Sequence, residues 1–137
     1  MKFAVGLIAG LLLLVAGCSD DGSGNPASGA PALRTVVYEV EGETGMTVPM
    51  SVTSADITIA TKSGTEQASV AVPLVSKTGR KGLTVSMPDG AFVYISAQNK
   101  GRYSSGKITC RITSDGVVIS ENTSSGKFAI ASCKGRA

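Results

Sequence analysis

Ile108-Thr109-Cys110-Arg111-Ile112-Thr113-Ser114-Asp115-Gly116 decides the fold class. Apolar Ile108, Cys110 and Ile112 alternate with polar Thr109, Arg111 and Thr113. A period of two puts these sets on opposite faces of one strand. Ser114-Asp115-Gly116 then ends the run. Glycine takes positive φ freely and aspartate tolerates it, so Asp115-Gly116 between alternating runs is the strongest hairpin signal in the chain. Residues 117–121 supply the returning strand.

The same period extends outward in both directions. Val36, Tyr38 and Val40 alternate with Thr35, Glu39 and Glu41, broken only by Val37. Ala55, Ile57 and Ile59 follow, then Ala68, Val70 and Val72, then Leu83, Val85 and Met87, then Val93, Ile95 and Ala97. Residues 127–133 form the last run. Lys62-Ser63-Gly64, Lys77-Thr78-Gly79, Pro88-Asp89-Gly90 and Ser124-Ser125-Gly126 punctuate them as turns. No helical apolar period of useful length follows residue 33. The expectation is an all-β, antiparallel β-sandwich of immunoglobulin-like type with seven to nine short strands and one disulfide. A small barrel is the second choice. Tryptophan is absent, so the buried Trp of antibody domains is not an option.

The N-terminus reads differently. Lys2 precedes an uncharged apolar run from Phe3 to Val15, shorter than the roughly 20 residues a spanning helix needs. Leu14-Val15-Ala16-Gly17-Cys18 resembles a bacterial lipobox, and polar Ser19-Asp20-Asp21-Gly22 follows at once. That resemblance implies a diacylglyceryl group on the Cys18 thiol and cleavage before it. The alternatives are an ordinary secretory signal and an uncleaved anchor helix. Residues 1–17 are read as a lipoprotein signal peptide, 18–33 as lipidated cysteine and Gly/Ser/Pro-rich stalk, and 34–137 as one extracytoplasmic domain. More than one acyl chain on Cys18 satisfies the requirement for stable anchoring. The expected location is therefore the outer side of the cell membrane.

The chain has three cysteines. With Cys18 in the anchor, Cys110 and Cys133 remain as an even pair in an oxidising compartment, and a disulfide is expected. Two metal-binding thiols are the weaker alternative, because there is no histidine and no CxxC spacing.

Thirteen basic against ten acidic residues is too balanced for a nucleic-acid surface. Lys77, Arg80 and Lys81, and again Lys100 and Arg102, cluster in turns. They are read as solvated turn charges in preference to a surface for anionic headgroups. The absence of histidine excludes Ser-His-Asp and Cys-His catalysis and imidazole metal sites. Among the carboxylates no pair stands out for glycoside cleavage. Met46, Met50 and Met87 are read as packing, not as a copper(I) site. Gly79, Gly82, Gly101 and Gly106 lack phosphate-loop spacing, and Asn122-Thr123-Ser124 is a sequon without an evident use. No enzyme activity and no cofactor are expected.

Leu83-Thr84-Val85-Ser86-Met87-Pro88-Asp89-Gly90-Ala91 followed by Ser96-Ala97-Gln98-Asn99 resembles the MmpS family of actinobacterial membrane proteins. So does Ile108 to Thr113 leading through Asp115-Gly116 to Glu121-Asn122, Ser125-Gly126 and Ser132-Cys133. Val37-Tyr38-Glu39-Val40 and Ala55-Asp56-Ile57-Thr58 fit as well. The resemblance implies an extracytoplasmic β-sandwich, a Cys110–Cys133 bridge, and an accessory role beside a large MmpL transporter of the RND class that exports lipids or siderophores. Family members usually carry an N-terminal membrane helix where this chain has a lipobox. Residues 42–54 and 66–82 also diverge. The competing expectations are a free-standing lipoprotein that binds an apolar ligand and a cell-surface interaction domain without a transporter.

Overall fold

The computed structural model describes residues 29–43, 54–76, 78–100 and 106–137. They form eight strands: β1 Leu33–Glu43, β2 Ser54–Thr61, β3 Gly64–Ala71, β4 Leu83–Pro88, β5 Phe92–Asn99, β6 Lys107–Ser114, β7 Val117–Ser125 and β8 Ile130–Arg136. Two four-stranded antiparallel sheets result, in the orders β4-β1-β6-β7 and β3-β2-β5-β8. Only β2–β3 and β6–β7 are hairpins within one sheet. Every other connection crosses between sheets, so each sheet is assembled from distant segments. No helix occurs among the described residues.

The core is what the alternation requires. Val36, Tyr38 and Val40 of β1, Ile108, Cys110 and Ile112 of β6, Ala55, Ile57 and Ile59 of β2, and Val93, Ile95 and Ala97 of β5 are all buried. Each fully buried aliphatic side chain contributes roughly 1.5–3 kcal/mol over its exposed state. The Cys110–Cys133 disulfide runs from β6 to β8 and so ties one sheet to the other, with Cα atoms 6.1 Å apart. In the chain-entropy account, closing its 23-residue separation stabilises the fold by about 3 kcal/mol.

Asp115 and Gly116 both have positive φ, 47° and 84°, and Ser114 pairs directly with Val117. That is a two-residue type I′ turn, whose twist matches the strands it joins. Gly82 (φ 84°) enters β4 with its α-carbon against β1. A methyl group there would lie 2.7 Å from Val37 Cγ1 and 2.9 Å from the Tyr38 carbonyl oxygen.

Three segments differ from the period-two expectation. β3 ends at Ala71, Ala68 is exposed, and the buried Val72 lies beyond the strand. The last strand starts at Ile130, three residues later than expected, and continues past Cys133 to Arg136; Phe128 (φ 59°) sits in the preceding turn. Apolar Phe128 and Ile130 face solvent while Ala131 and Cys133 are buried. β7 runs on through Ser124 and Ser125, and its register shifts opposite Ile112/Thr113. This bulge turns Ile119 onto β8, where a methyl group on Gly135 would stand 3.1 Å from Ile119 Cδ1. β1 begins at Leu33, one residue ahead of the expected domain start.

Candidate interaction surface

The two long sides of the sandwich are built differently. On one side β7 lies over β8. The residues of β7 that alternation turns inward are Ser120, Asn122 and Ser124, which are polar. Two of them meet the unpaired backbone edge of β8: Asn122 Nδ2 donates to the Ser132 carbonyl at 3.2 Å, and the Lys134 N–H donates to Ser120 Oγ at 3.3 Å. Edge groups that would otherwise offer a template for a further strand are thereby partly occupied.

The opposite side is only partly covered among the described residues. The segment from Val72 to Gly82 crosses between the sheets there, seats Val72 and Leu74 in the core, and bonds the Leu74 N–H to the Val40 carbonyl at 3.0 Å. β3 and β4 end their sheets there, each with a neighbour on one flank only. β3 pairs with β2 over eight residues without a register shift, and it carries one charge, Glu66, no lysine and no proline. Bulges, lysines and prolines are the usual means of blunting an edge, and β3 has none of them. Its inward residues Glu66 and Ala68 are exposed, with no strand of the other sheet above them among the described residues. Between the edges is a slot of about 160 Å³ whose apolar walls include Ile57, Ile59, Val70, Leu74 and Leu83. A regular strand with one flank unpaired among the described residues, beside an apolar slot, has the features that strand-adding peptides use: main-chain pairing for affinity and a recess for alternate side chains.

The outer faces are polar and largely self-neutralised. On the β1 sheet, Arg111 donates to Glu121 at 2.6 Å and to Glu39 at 3.2 Å, and both carboxylates raise its pKa. Lys81 pairs with Glu41 and stands 4.0 Å from Glu39. On the β2 sheet a shallow polar hollow of about 510 Å³ includes Asp56, Thr58, Gln67, Ser69, Ser96 and Gln98. Asp56 accepts from the Ser69 hydroxyl and from Lys100 Nζ at 3.0 Å, and these bonds hold its carboxyl below the usual range. Lys81 and Lys100, expected as solvated turn charges, are thus paired. Arg80 is exposed, and Lys77 and Arg102 lie outside the described residues. Met87 is part of the core, whereas Met46 and Met50 also lie outside the described residues.

Among the described residues no three His, Cys, Asp or Glu side chains are grouped to hold a metal ion. Cys110 and Cys133 are joined to each other. Cys18, the expected lipidation site, lies outside the described residues. No family model matches this chain, and no curated protein matches it in sequence.

The paired charges were hidden from sequence because register decides them. Arg111 reaches Glu39 and Glu121 only once β6 lies between β1 and β7. The partly covered side was equally hidden, although the low charge of Gly64–Ala71 and its lack of proline are visible in the sequence and are the signal that could have marked an unprotected edge.

Proposed function

We propose that this chain is a lipoprotein tethered through Cys18 outside the cell membrane, serving as an accessory domain that docks onto an MmpL-type RND exporter of lipids or siderophores. The observation that supports docking is the partly covered β3–β4 side, with an unblunted edge strand and an apolar slot next to it. The choice of partner class rests on the sequence resemblance of residues 36–133 to the MmpS family. Lipid on Cys18 would replace the membrane helix of that family, which confines contact with the exporter to its extracytoplasmic part.

A photo-crosslinking residue in place of Ser69 on β3, with Thr123 on β7 as the control position, tests this in the host membrane. A crosslink to an RND-class transporter from Ser69 and none from Thr123 supports the reading. Failure to crosslink any such transporter from β3 overturns it.

The slot favours a second reading, an apolar ligand held between the sheets. Its volume falls below the roughly 300–1,000 Å³ of ordinary ligand pockets, so it accommodates a side chain better than a whole lipid. Native mass spectrometry of gently extracted protein decides: a bound lipid mass favours the ligand reading, and a bare protein mass removes it.

A further inference from the structure

The end of the sandwich where the chain enters β1 has an unusual surface. Seven large apolar side chains are at least half exposed among the described residues, and four of them stand at this end: Leu33, Phe92, Val117 and Val118, at 53–65% exposure. Leu33 opens β1, Phe92 opens β5, and Val117 and Val118 open β7. The Asp89-Gly90 and Asp115-Gly116 turns share this end with them, as does Arg136 at the close of β8.

The charges here are arranged to leave little net negative potential. Arg34 points along the inward side of β1 beyond the last core residue and closes the mouth of the sandwich. Its Nε meets Asp89 at 2.8 Å and its second nitrogen meets Asp115 at 2.9 Å. The Asp89 and Asp115 carboxylates are therefore engaged, while Lys62, Glu66 and Arg136 remain exposed around them. An apolar rim with cationic flanks is the pattern of an interfacial lipid contact, where apolar groups sink about 5–10 Å into the headgroup boundary.

The chain leading to this end supplies the occupant. Cys18 precedes Leu33 by fifteen residues, a reach of at most about 50 Å. A lipid on Cys18 would tether the domain through this end, opposite the end that holds Lys127. At such range a weak apolar contact becomes an intramolecular event. We infer that the sandwich stands with its Leu33–Phe92–Val117–Val118 end against the lipid surface, so that the β3–β4 side faces sideways, parallel to the membrane. The inference rests on lipidation of Cys18, as proposed above.

The test uses the full acylated protein in vesicles of phosphatidylcholine and phosphatidylglycerol in equal parts, with brominated acyl chains as quenchers. A fluorophore goes on Val118→Cys or, at the far end, on Lys127→Cys; Cys110 and Cys133 are bridged and do not compete for the label. Quenching at position 118 and none at 127 is the expected result. Leu33→Ser with Val117→Ser, both at exposed positions, should cut the quenching at 118 about two-fold. An unquenched label at 118, or equal quenching at 127, overturns the inference. Self-quenching at 118 that grows with surface density, without lipid quenching, would assign the same end to a second copy of the chain. The intact mass keeps the two readings apart: an unacylated protein that fails to float with vesicles refutes the anchor, whereas an acylated, floating protein with an unquenched label refutes only the contact.

Discussion

The hydroxyl of Tyr38, on β1, donates a 2.7 Å hydrogen bond to the carbonyl of Ala60, on β2 of the opposite sheet. It also bonds to the Tyr94 backbone of β5. The β2–β5 pairing ends at Ile59 and Ile95, and Tyr38 supplies the next polar link from across the core. Its side chain is fully buried, so this bond forms in a low-dielectric setting and joins the two sheets as the disulfide does elsewhere.

Tyr38→Phe should therefore lower stability by about 1–2 kcal/mol, the cost of leaving a part-buried carbonyl without its donor. Burial also raises the Tyr38 pKa above its ordinary 10.0. The unfolded chain then releases this proton first, so its contribution is complete below about pH 10 and is lost as pH rises through the higher folded value. Urea melts of the wild type and the Phe variant at pH 7 and pH 10.5 check both points. The wild type should lose more stability between the two pH values than the variant does.

Gly82→Ala should cost about 2–4 kcal/mol, combining a left-handed backbone with overlap against Val37 and the Tyr38 carbonyl. Gly90→Ala has the same backbone sign at φ 74° but nothing within 4 Å, and should cost only about 1 kcal/mol. Denaturant midpoints for both variants check it. Equal losses would mean that the close approach at Gly82 has no energetic weight.

Cys110→Ala and Cys133→Ala should each lower the melting temperature by a similar amount, corresponding to about 3 kcal/mol. The double variant should lose little more than either single one, because both remove the same bond. Calorimetry of the three proteins would expose additive losses, which contradict a shared covalent link.

Asp115 accepts the Thr35 N–H at 2.8 Å and pairs with Arg34, and these contacts lower its pKa below 3.8. Its contribution is present above pH 3.8 and is lost as pH falls through the lower folded value. Asp115→Asn tolerates the same turn conformation but lacks the charge. It should melt below the wild type at pH 7 and converge with it towards pH 2, as followed by thermal melts across that range.

Ser120→Ala should remove the acceptor of the Lys134 N–H on the β8 edge. Amide exchange at Lys134 should quicken by about five-fold or more, consistent with loss of a bond contributing about 1 kcal/mol. The Cys133 amide, within the β5–β8 pairing, should be unaffected. Hydrogen-exchange NMR distinguishes the two sites.

Much of this architecture was legible before any coordinates. The alternation at Val36–Val40, Ala55–Ile59, Val93–Ala97 and Ile108–Ile112 named the buried face of four strands, because one face of each is covered and the pleat has a fixed period. Asp115-Gly116 named its hairpin because few residue pairs accept two positive φ values. Where covering is uneven, the pattern misled. Ala68 reads as core but sits on an overhanging edge strand. Ser120 and Asn122 are polar, yet they turn inward to meet the edge of β8.

The sequence by itself determined the strands of the covered core and their inward faces, since these follow from local stereochemistry and side-chain polarity, and its cysteine count left Cys110 and Cys133 as the expected pair. Only the tertiary structure decided which edges meet. Partner strands in both sheets come from distant parts of the chain, so the Arg34 closure, the β7–β8 contact and the partly covered β3–β4 side exist only once the sheets are stacked. Backbone edge groups are alike along every strand, and a sequence does not mark which of them a neighbour will cover.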